Sequence, residues 1–264
     1  MNSYDKIIVD IFKRYRRGNA DFEFGRDEFM AAAQRLQIAV PKNVGDIIYS
    51  YRYRKSLPSE IIDTQPENLY WLILGAGDAK YRFHLGPLLF FKPTAGLLVR
   101  KIPDATPEII SQYALTDEQA LLAKIRYNRL IDAFLGIVAY SLQSHLRTKI
   151  ENYGQIEIDE LYVGVDTKGE QYIVPVQAKG GTDKLGVIQT IQDTIYCRNQ
   201  ELYKYATPRP VSAQFMANDV IALFELHFDE EAEIVTIIRE RHYRLSAAVD
   251  IKPTDLKSYR LGVD

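Results

Sequence analysis

The chain has 264 residues, 47% hydrophobic and 26% charged, with a formal net charge of -2. This is ordinary for a soluble globular protein with a sizeable core, in one large domain or two small ones. Near-neutral charge argues against a protein that coats nucleic acid by electrostatics alone, but leaves room for local basic patches. Cys197 is the only cysteine, which excludes an internal disulfide and a cysteine-based zinc site and fits a reducing cytoplasm. His84, His145, His227 and His242 are too far apart for a zinc helix. The start, Met1-Asn-Ser-Tyr-Asp-Lys, lacks the apolar run of a secretory signal. The apolar stretch 134–142 is too short to span a bilayer. We therefore expect a cytoplasmic protein with no membrane partner.

In chain order, Ser3 would cap a helix running to about Arg17, with Ile7, Ile8, Ile11 and Phe12 on one face and Gly18-Asn19 as its stop. Helices are expected over 27–37 and 43–53, joined by a turn at 39–43, a pairing that would suit a helix-turn-helix. The second ends in Tyr49-Ser-Tyr-Arg-Tyr-Arg-Lys55. Arg52, Arg54 and Lys55 interleaved with tyrosines suit phosphate contact and base stacking, or a basic helix end complementing its dipole. Strands are expected at 69–74, 80–85, 88–91 and 97–102, with Arg82 and His84 on one polar face. Gly75-Ala-Gly77 reads as a turn rather than a phosphate loop. The segment Pro103–Pro107 looks like a linker. It divides an accessory region, 1–106, from a second unit, 107–264. Thr116-Asp-Glu-Gln119 resembles a capping box and would open a long helix to about Lys149. Further strands are expected at 210–216, 220–228 and 234–238, followed by the basic run Arg239–Arg244.

The most informative stretch is 155–179. Asp166-Thr-Lys-Gly169 suits a type I turn followed by a left-handed glycine, the three-residue hairpin with a bulge. In that register Asp159 lies opposite Gln177 and Glu157 opposite Lys179, and Asp159, Gln177 and Lys179 share one face. A two-residue turn at Lys168-Gly169 would instead bring Glu160 beside Gln177. Gly180-Gly-Thr-Asp follows, then a helical pattern from Val187 to Tyr196 in which Gln192 and Tyr196 are one turn apart.

An acidic strand, a Gln-x-Lys at the end of the next strand and a Gln-bearing helix together resemble the core of the PD-(D/E)XK nuclease superfamily. Gln177 stands where that motif has Asp or Glu. The resemblance covers about half the chain, roughly 117–245. It implies an α/β core, a mixed central sheet flanked by helices, with an N-terminal mixed α+β recognition region. It implies Mg²⁺ held by Asp159, Gln177 and the Ala178 carbonyl, and Lys179 acting in the chemical step. Glu157, Glu160 and Gln192 would support the site, and Glu151 could add an acid. Gln offers only a neutral oxygen, so it would bind Mg²⁺ more weakly than Glu. The expected activity is Mg²⁺-dependent hydrolysis of phosphodiester bonds in double-stranded DNA. A sequence-specific type II restriction enzyme fits best, cutting as a homodimer beside a cognate DNA methyltransferase. The alternatives are a repair, junction or mobile-element nuclease, or a DNA-binding protein whose nuclease site is inactive. Arg52, Arg54, Lys55 and Arg82 are the expected DNA contacts.

Overall fold

A computed structural model describes residues 2–39, 43–113, 118–150, 153–181 and 183–260. The N-terminal part contains α1 (Ser3–Arg16), β1 (Asp21–Gly25), α2 (Glu28–Arg35), α3 (Gly45–Tyr49), a π-helical turn (Ser50–Arg54), α4 (Ser59–Ile62), β2 (Tyr70–Gly75) and β3 (Lys80–Gly86). The cap of α1 is Asn2 rather than Ser3. Its side chain accepts from the Asp5 N–H while the Asp5 carboxylate accepts from the Asn2 N–H, a reciprocal pair. The apolar stripe of α1 and the sheet β1-β3-β2 close a first core around Phe12, Phe29, Trp71 and Phe83. Part of the expected turn at 39–43 lies outside the described residues.

The rest of the chain adds β4 (Phe90–Phe91), β5 (Val99–Pro103), α5 (Glu108–Tyr113), α6 (Glu118–Tyr127), α7 (Leu130–Leu135), β6 (Val138–Ile150), β7 (Gly154–Val165), β8 (Gln171–Lys179), β9 (Leu185–Gly186), α8 (Val187–Asn199), β10 (Thr207–Pro208), β11 (Val211–Phe215), β12 (Val220–Asp229), β13 (Ile234–Ser246) and α9 (Pro253–Arg260). Seven of these strands form the path β5-β13-β12-β11-β8-β7-β6, with β10 paired to β8 as the eighth. The sheet is mixed: β6, β7 and β8 form an antiparallel meander, β11 runs parallel to β8, and β12 returns antiparallel. Helix α8 packs on one face through Ile188, Ile191 and Ile195. Helices α6 and α7 pack on the other through Leu121, Ile125 and Phe134. The result is a three-layer α/β/α arrangement with β8 near its centre.

Strand β2 joins the two parts. Trp71 and Ile73 point into the N-terminal core, and Leu72 and Leu74 into the core beneath α8. This is the period-two alternation of a strand buried on both faces. The expected boundary at 106/107 is crossed by pairing, since β5 hydrogen-bonds to β13. No helix among the described residues is long and apolar enough to cross a membrane.

The long helix expected up to Lys149 does not form. Its helical part ends at Gly136, which sits at φ 69° as the left-handed cap of α7, and 138–150 is strand β6. The apolar residues that suggested a continuing helical face, Val138 and Leu142, are 45% and 50% exposed on this edge strand. They mark no buried stripe. The Thr116 capping box and Glu151 lie outside the described residues.

The 155–179 hairpin has the three-residue turn. Val165 pairs with Gln171 and Glu160 with Val176. The Asp166 N–H donates to the Glu170 carbonyl at 3.1 Å, and the Asp166 carboxylate accepts from the Lys168 and Glu170 N–H groups at 2.8 and 3.0 Å. Gly169 takes φ 84°, and a methyl group added there would meet nothing within 4 Å. Gly169→Ala should therefore cost only the left-handed backbone term, about 1–2 kcal/mol. Urea unfolding should show a lower midpoint with an unchanged slope.

Candidate active site

The ladder between β7 and β8 stops at Glu160–Val176, although both strands continue and β7 stays paired with β6 as far as Gly154. Beyond that point, side chains replace the missing main-chain bonds. The Ala178 N–H donates to Asp159 Oδ2 at 2.8 Å, and Gln177 Nε2 donates to the Glu157 carbonyl at 2.9 Å. Buried main-chain groups need partners, so the divergence itself calls for an acceptor at 159 and a donor at 177. Asp159 and Gln177 are both buried, and the second Asp159 oxygen is left without a hydrogen bond among the described residues.

Helix α8 supports Gln177 from one face. Gln177 Nε2 also donates to Asp193 Oδ2 at 2.8 Å, and Gln177 Oε1 accepts from Gln189 Nε2 at 2.9 Å. Gln189 and Asp193 are one helical turn apart, so a single helix face grips both ends of the amide. On the other side, Lys179 Nζ donates to Glu118 Oε1 of α6 at 2.9 Å.

The electrostatics follow from burial. Asp193 is held well above the usual carboxylate range, chiefly by desolvation; the Gln177 hydrogen bond opposes this and the charge of Asp159 adds to it. Asp159 is also raised, chiefly by burial, against the Ala178 N–H and the Lys179 charge. For Lys179 burial acts downward. The Glu118 hydrogen bond and the charges of Asp159, Glu118 and Asp183 outweigh it, and the ammonium is held above the ordinary lysine range.

Of these groups, Glu118, Asp159, Lys179 and Gln189 line a cleft of about 1180 Å³, while Gln177 and Asp193 are buried outside its lining. Tyr49, Tyr53 and Arg54 of the N-terminal part form one wall; Arg147, Lys149 and Lys184 stand on its rim, with Glu157 and Asp183 among them. Tyr53 donates to Gln192 Oε1 at 2.7 Å, so Gln192 fastens this wall to α8. Tyr196, its expected companion, packs into the apolar cluster under α8 instead. Glu157 meets Arg147 at 2.9 Å on the cleft side. Glu160 is fully buried on the α6 side, paired with Arg126 at 2.8 Å and away from the cleft.

The four basic residues expected at DNA separate. Arg54 lines the cleft, its guanidinium 4.8 Å from the Tyr49 ring centre. Arg52 is buried, with Nε donating to the Ile73 carbonyl at 2.6 Å. Lys55 lies 6.0 Å from the Tyr4 ring, outside the cleft lining. Arg82 is ion-paired with Asp21 at 3.1 Å and with Glu233. Asp21, His84 and Glu233 bring ligand atoms within 4.8 Å of one another, as a metal trio would, but Arg82 already bridges the two acids.

Sequence reasoning missed Asp193, Gln189 and Glu118. The signal for the first was present: an acid on a helix whose neighbours Thr190, Ile191, Thr194 and Ile195 are all buried. Comparisons with protein-family models, with curated proteins and with solved structures found no match for this chain.

Two outcomes follow for Gln177 and Asp193. Gln177→Glu removes both donors and sets a carboxylate against Asp193, so stability should fall by about 1–3 kcal/mol. Adding Asp193→Asn should recover most of it by returning an N–H donor to the pair, which a double-mutant cycle by urea unfolding reads as strong coupling. The second outcome concerns pH. A carboxyl whose folded pKa is raised binds more protons folded than unfolded. Its penalty is absent below the unfolded value and grows as pH rises towards the folded one. In chelator-containing buffer, Asp193→Asn should flatten the loss of stability above about pH 4; an unchanged slope would show that Asp193 does not titrate this way.

Proposed function

We propose that this protein is a metal-dependent nuclease acting on DNA. The observation that carries this reading is the convergence of Asp159, Gln177 and Lys179 where two central strands part, with Asp159 and Lys179 lining a cleft that Arg54 and Lys184 also line. One mixed sheet flanked by helices, with helix α8 following the Lys179-bearing strand, supports it, since the PD-(D/E)XK resemblance implies that arrangement. The finer reading, a Mg²⁺-dependent type II restriction endonuclease working as a homodimer, extends the same resemblance.

The donor set fits a hard divalent cation. Asp159 and Asp193 are two buried acids near a single ammonium, and that ammonium is shared with Glu118, so the floor is short of positive charge. The free Asp159 oxygen, Gln177 Oε1 and the Ala178 carbonyl would hold Mg²⁺, which takes few protein oxygens and keeps its waters. Bound there, the ion would lower the pKa of a water and neutralise charge on the scissile phosphate. Glu118 would hold the Lys179 ammonium in position. Lys179 would stabilise charge on phosphate oxygens as the water oxygen bonds to phosphorus and the bond to the leaving sugar oxygen breaks. Arg54 and Lys184 would face the backbone of the bound strand.

One observation favours a second reading, a DNA-binding protein with a silent site. Both ends of the Gln177 amide are engaged, and its oxygen is held by Gln189. Incubation of plasmid and genomic DNA with Mg²⁺ separates the two. Discrete fragments from the wild-type protein support the nuclease. Binding without cleavage in Mg²⁺ or Mn²⁺ leaves the silent site. Lys179→Ala and Asp159→Ala should each reduce cleavage by roughly 100-fold or more while DNA binding persists. Glu160→Ala should lower stability, because it strands Arg126, yet leave the folded fraction active.

A further inference from the structure

We propose that a second cavity, beside the cleft, is a binding site for a phosphate group. The cavity is about 720 Å³ and lies between the π-helical turn and the β2–β3 turn. It borders the cleft through Tyr49, Tyr53, Lys149 and Gln155, which line both. Its volume would hold a phosphate with its attached sugar.

The feature that demands a ligand is Arg52. Its side chain lines the cavity and is 6% exposed. Nε is satisfied by the Ile73 carbonyl, but Nη2 is buried with no hydrogen-bond partner. A guanidinium stays charged at any physiological pH, and a buried charge without an anion is costly. Two more cations, Arg26 and Lys80, line the same cavity and have no ion-pair partner among the described residues, so that with Arg52 and Lys149 four cations there outnumber two acids, Asp46 and Asp78. Lys149 is already paired with Asp78 at 3.3 Å. The N–H groups of Gly77, Asp78 and Ala79 donate to no acceptor among the described residues, with Gly77 at φ 129° and Ala79 at φ 55°. Successive free N–H groups in such a turn form a concavity suited to an oxyanion. Planar guanidinium, ammonium and main-chain donors together match phosphate oxygens better than a carboxylate, which offers two oxygens rather than three.

Because the cavity adjoins the cleft, the phosphate would be one carried by the strand bound there. That source rests on the nuclease reading; the site itself does not. Calorimetric titration with inorganic phosphate and pyrophosphate tests the site. Titration with a short single-stranded oligonucleotide, with and without a 5′-phosphate, tests the source. We expect pyrophosphate to bind and to raise the melting temperature. The Arg26→Ala/Lys80→Ala double variant alters two exposed side chains and should fold; it should weaken pyrophosphate binding at least tenfold. Arg52→Lys, which keeps the charge and loses the fork, should also weaken it. Failure of both anions to bind the wild-type protein, or equal binding by all variants, overturns the site. Pyrophosphate binding with no gain from the 5′-phosphate upholds the site and overturns the nucleic-acid source in favour of a free phosphorylated small molecule. None of these readouts requires cleavage, so a protein that fails to cut DNA leaves the result interpretable.

Discussion

The main-chain N–H of Ala178 lies in the middle of the sheet at the point where β7 leaves β8. It has lost its ladder partner, and water does not reach it. Asp159 supplies the acceptor, and the position of every other group in the cleft floor depends on that substitution of a carboxylate for a carbonyl. A strand that kept its pairing would need neither the acid nor the amide of Gln177 spanning to the Glu157 carbonyl. The parting of the strands thus places the Asp159 carboxylate of β7 and the Gln177 amide of β8 beside a strand whose Ile173, Val174, Val176 and Ala178 are fully buried.

Holding that geometry requires both faces of the sheet. Helix α8 presents Gln189 and Asp193 to the amide, and α6 presents Glu118 to Lys179. The N-terminal part closes the cleft from above. It is anchored by the alternating residues of β2 and by the Tyr53–Gln192 hydrogen bond. The wall bearing Arg54 is therefore packed against the cleft floor, and residues far apart in sequence meet across a space that neither part encloses alone.

The hairpin was legible because its register is set by local chemistry. Asp166 and Gly169 fix the turn, and the period of two carries that choice back to Asp159. The later strands at 220–228 and 234–238 were legible as short apolar runs. The strand β6 was not, since Val138 and Leu142 stand at helical spacing by coincidence on an exposed edge, and only the absence of a covering layer reveals that they bury nothing. Strand β1 was overlooked although Asp21-Phe-Glu-Phe24 alternates polar and apolar residues; the run is only five residues long and its partner, Lys80–His84, lies far along the chain. Arg52 and Arg54 looked equivalent by composition. In the π-helical turn they take opposite fates, one buried against β2 and one in the cleft. That difference is set by which side of the turn meets the sheet.

The sequence also left open why a glutamine stands at position 177, and the packing supplies a reason. Around Lys179 lie Asp159, Glu118 and, beneath the amide, Asp193, so the neighbourhood already carries more acid than one ammonium balances. A glutamate at 177 would face the Asp193 carboxylate at hydrogen-bond distance in a water-excluded space, where like charges repel strongly. It would also leave the Glu157 carbonyl without a donor. An amide resolves both conflicts, because its N–H₂ faces the acid and the carbonyl while its oxygen accepts from Gln189. The acid and the amide have in effect exchanged places between strand and helix, leaving an amide oxygen at the strand end and a carboxyl group one layer below it.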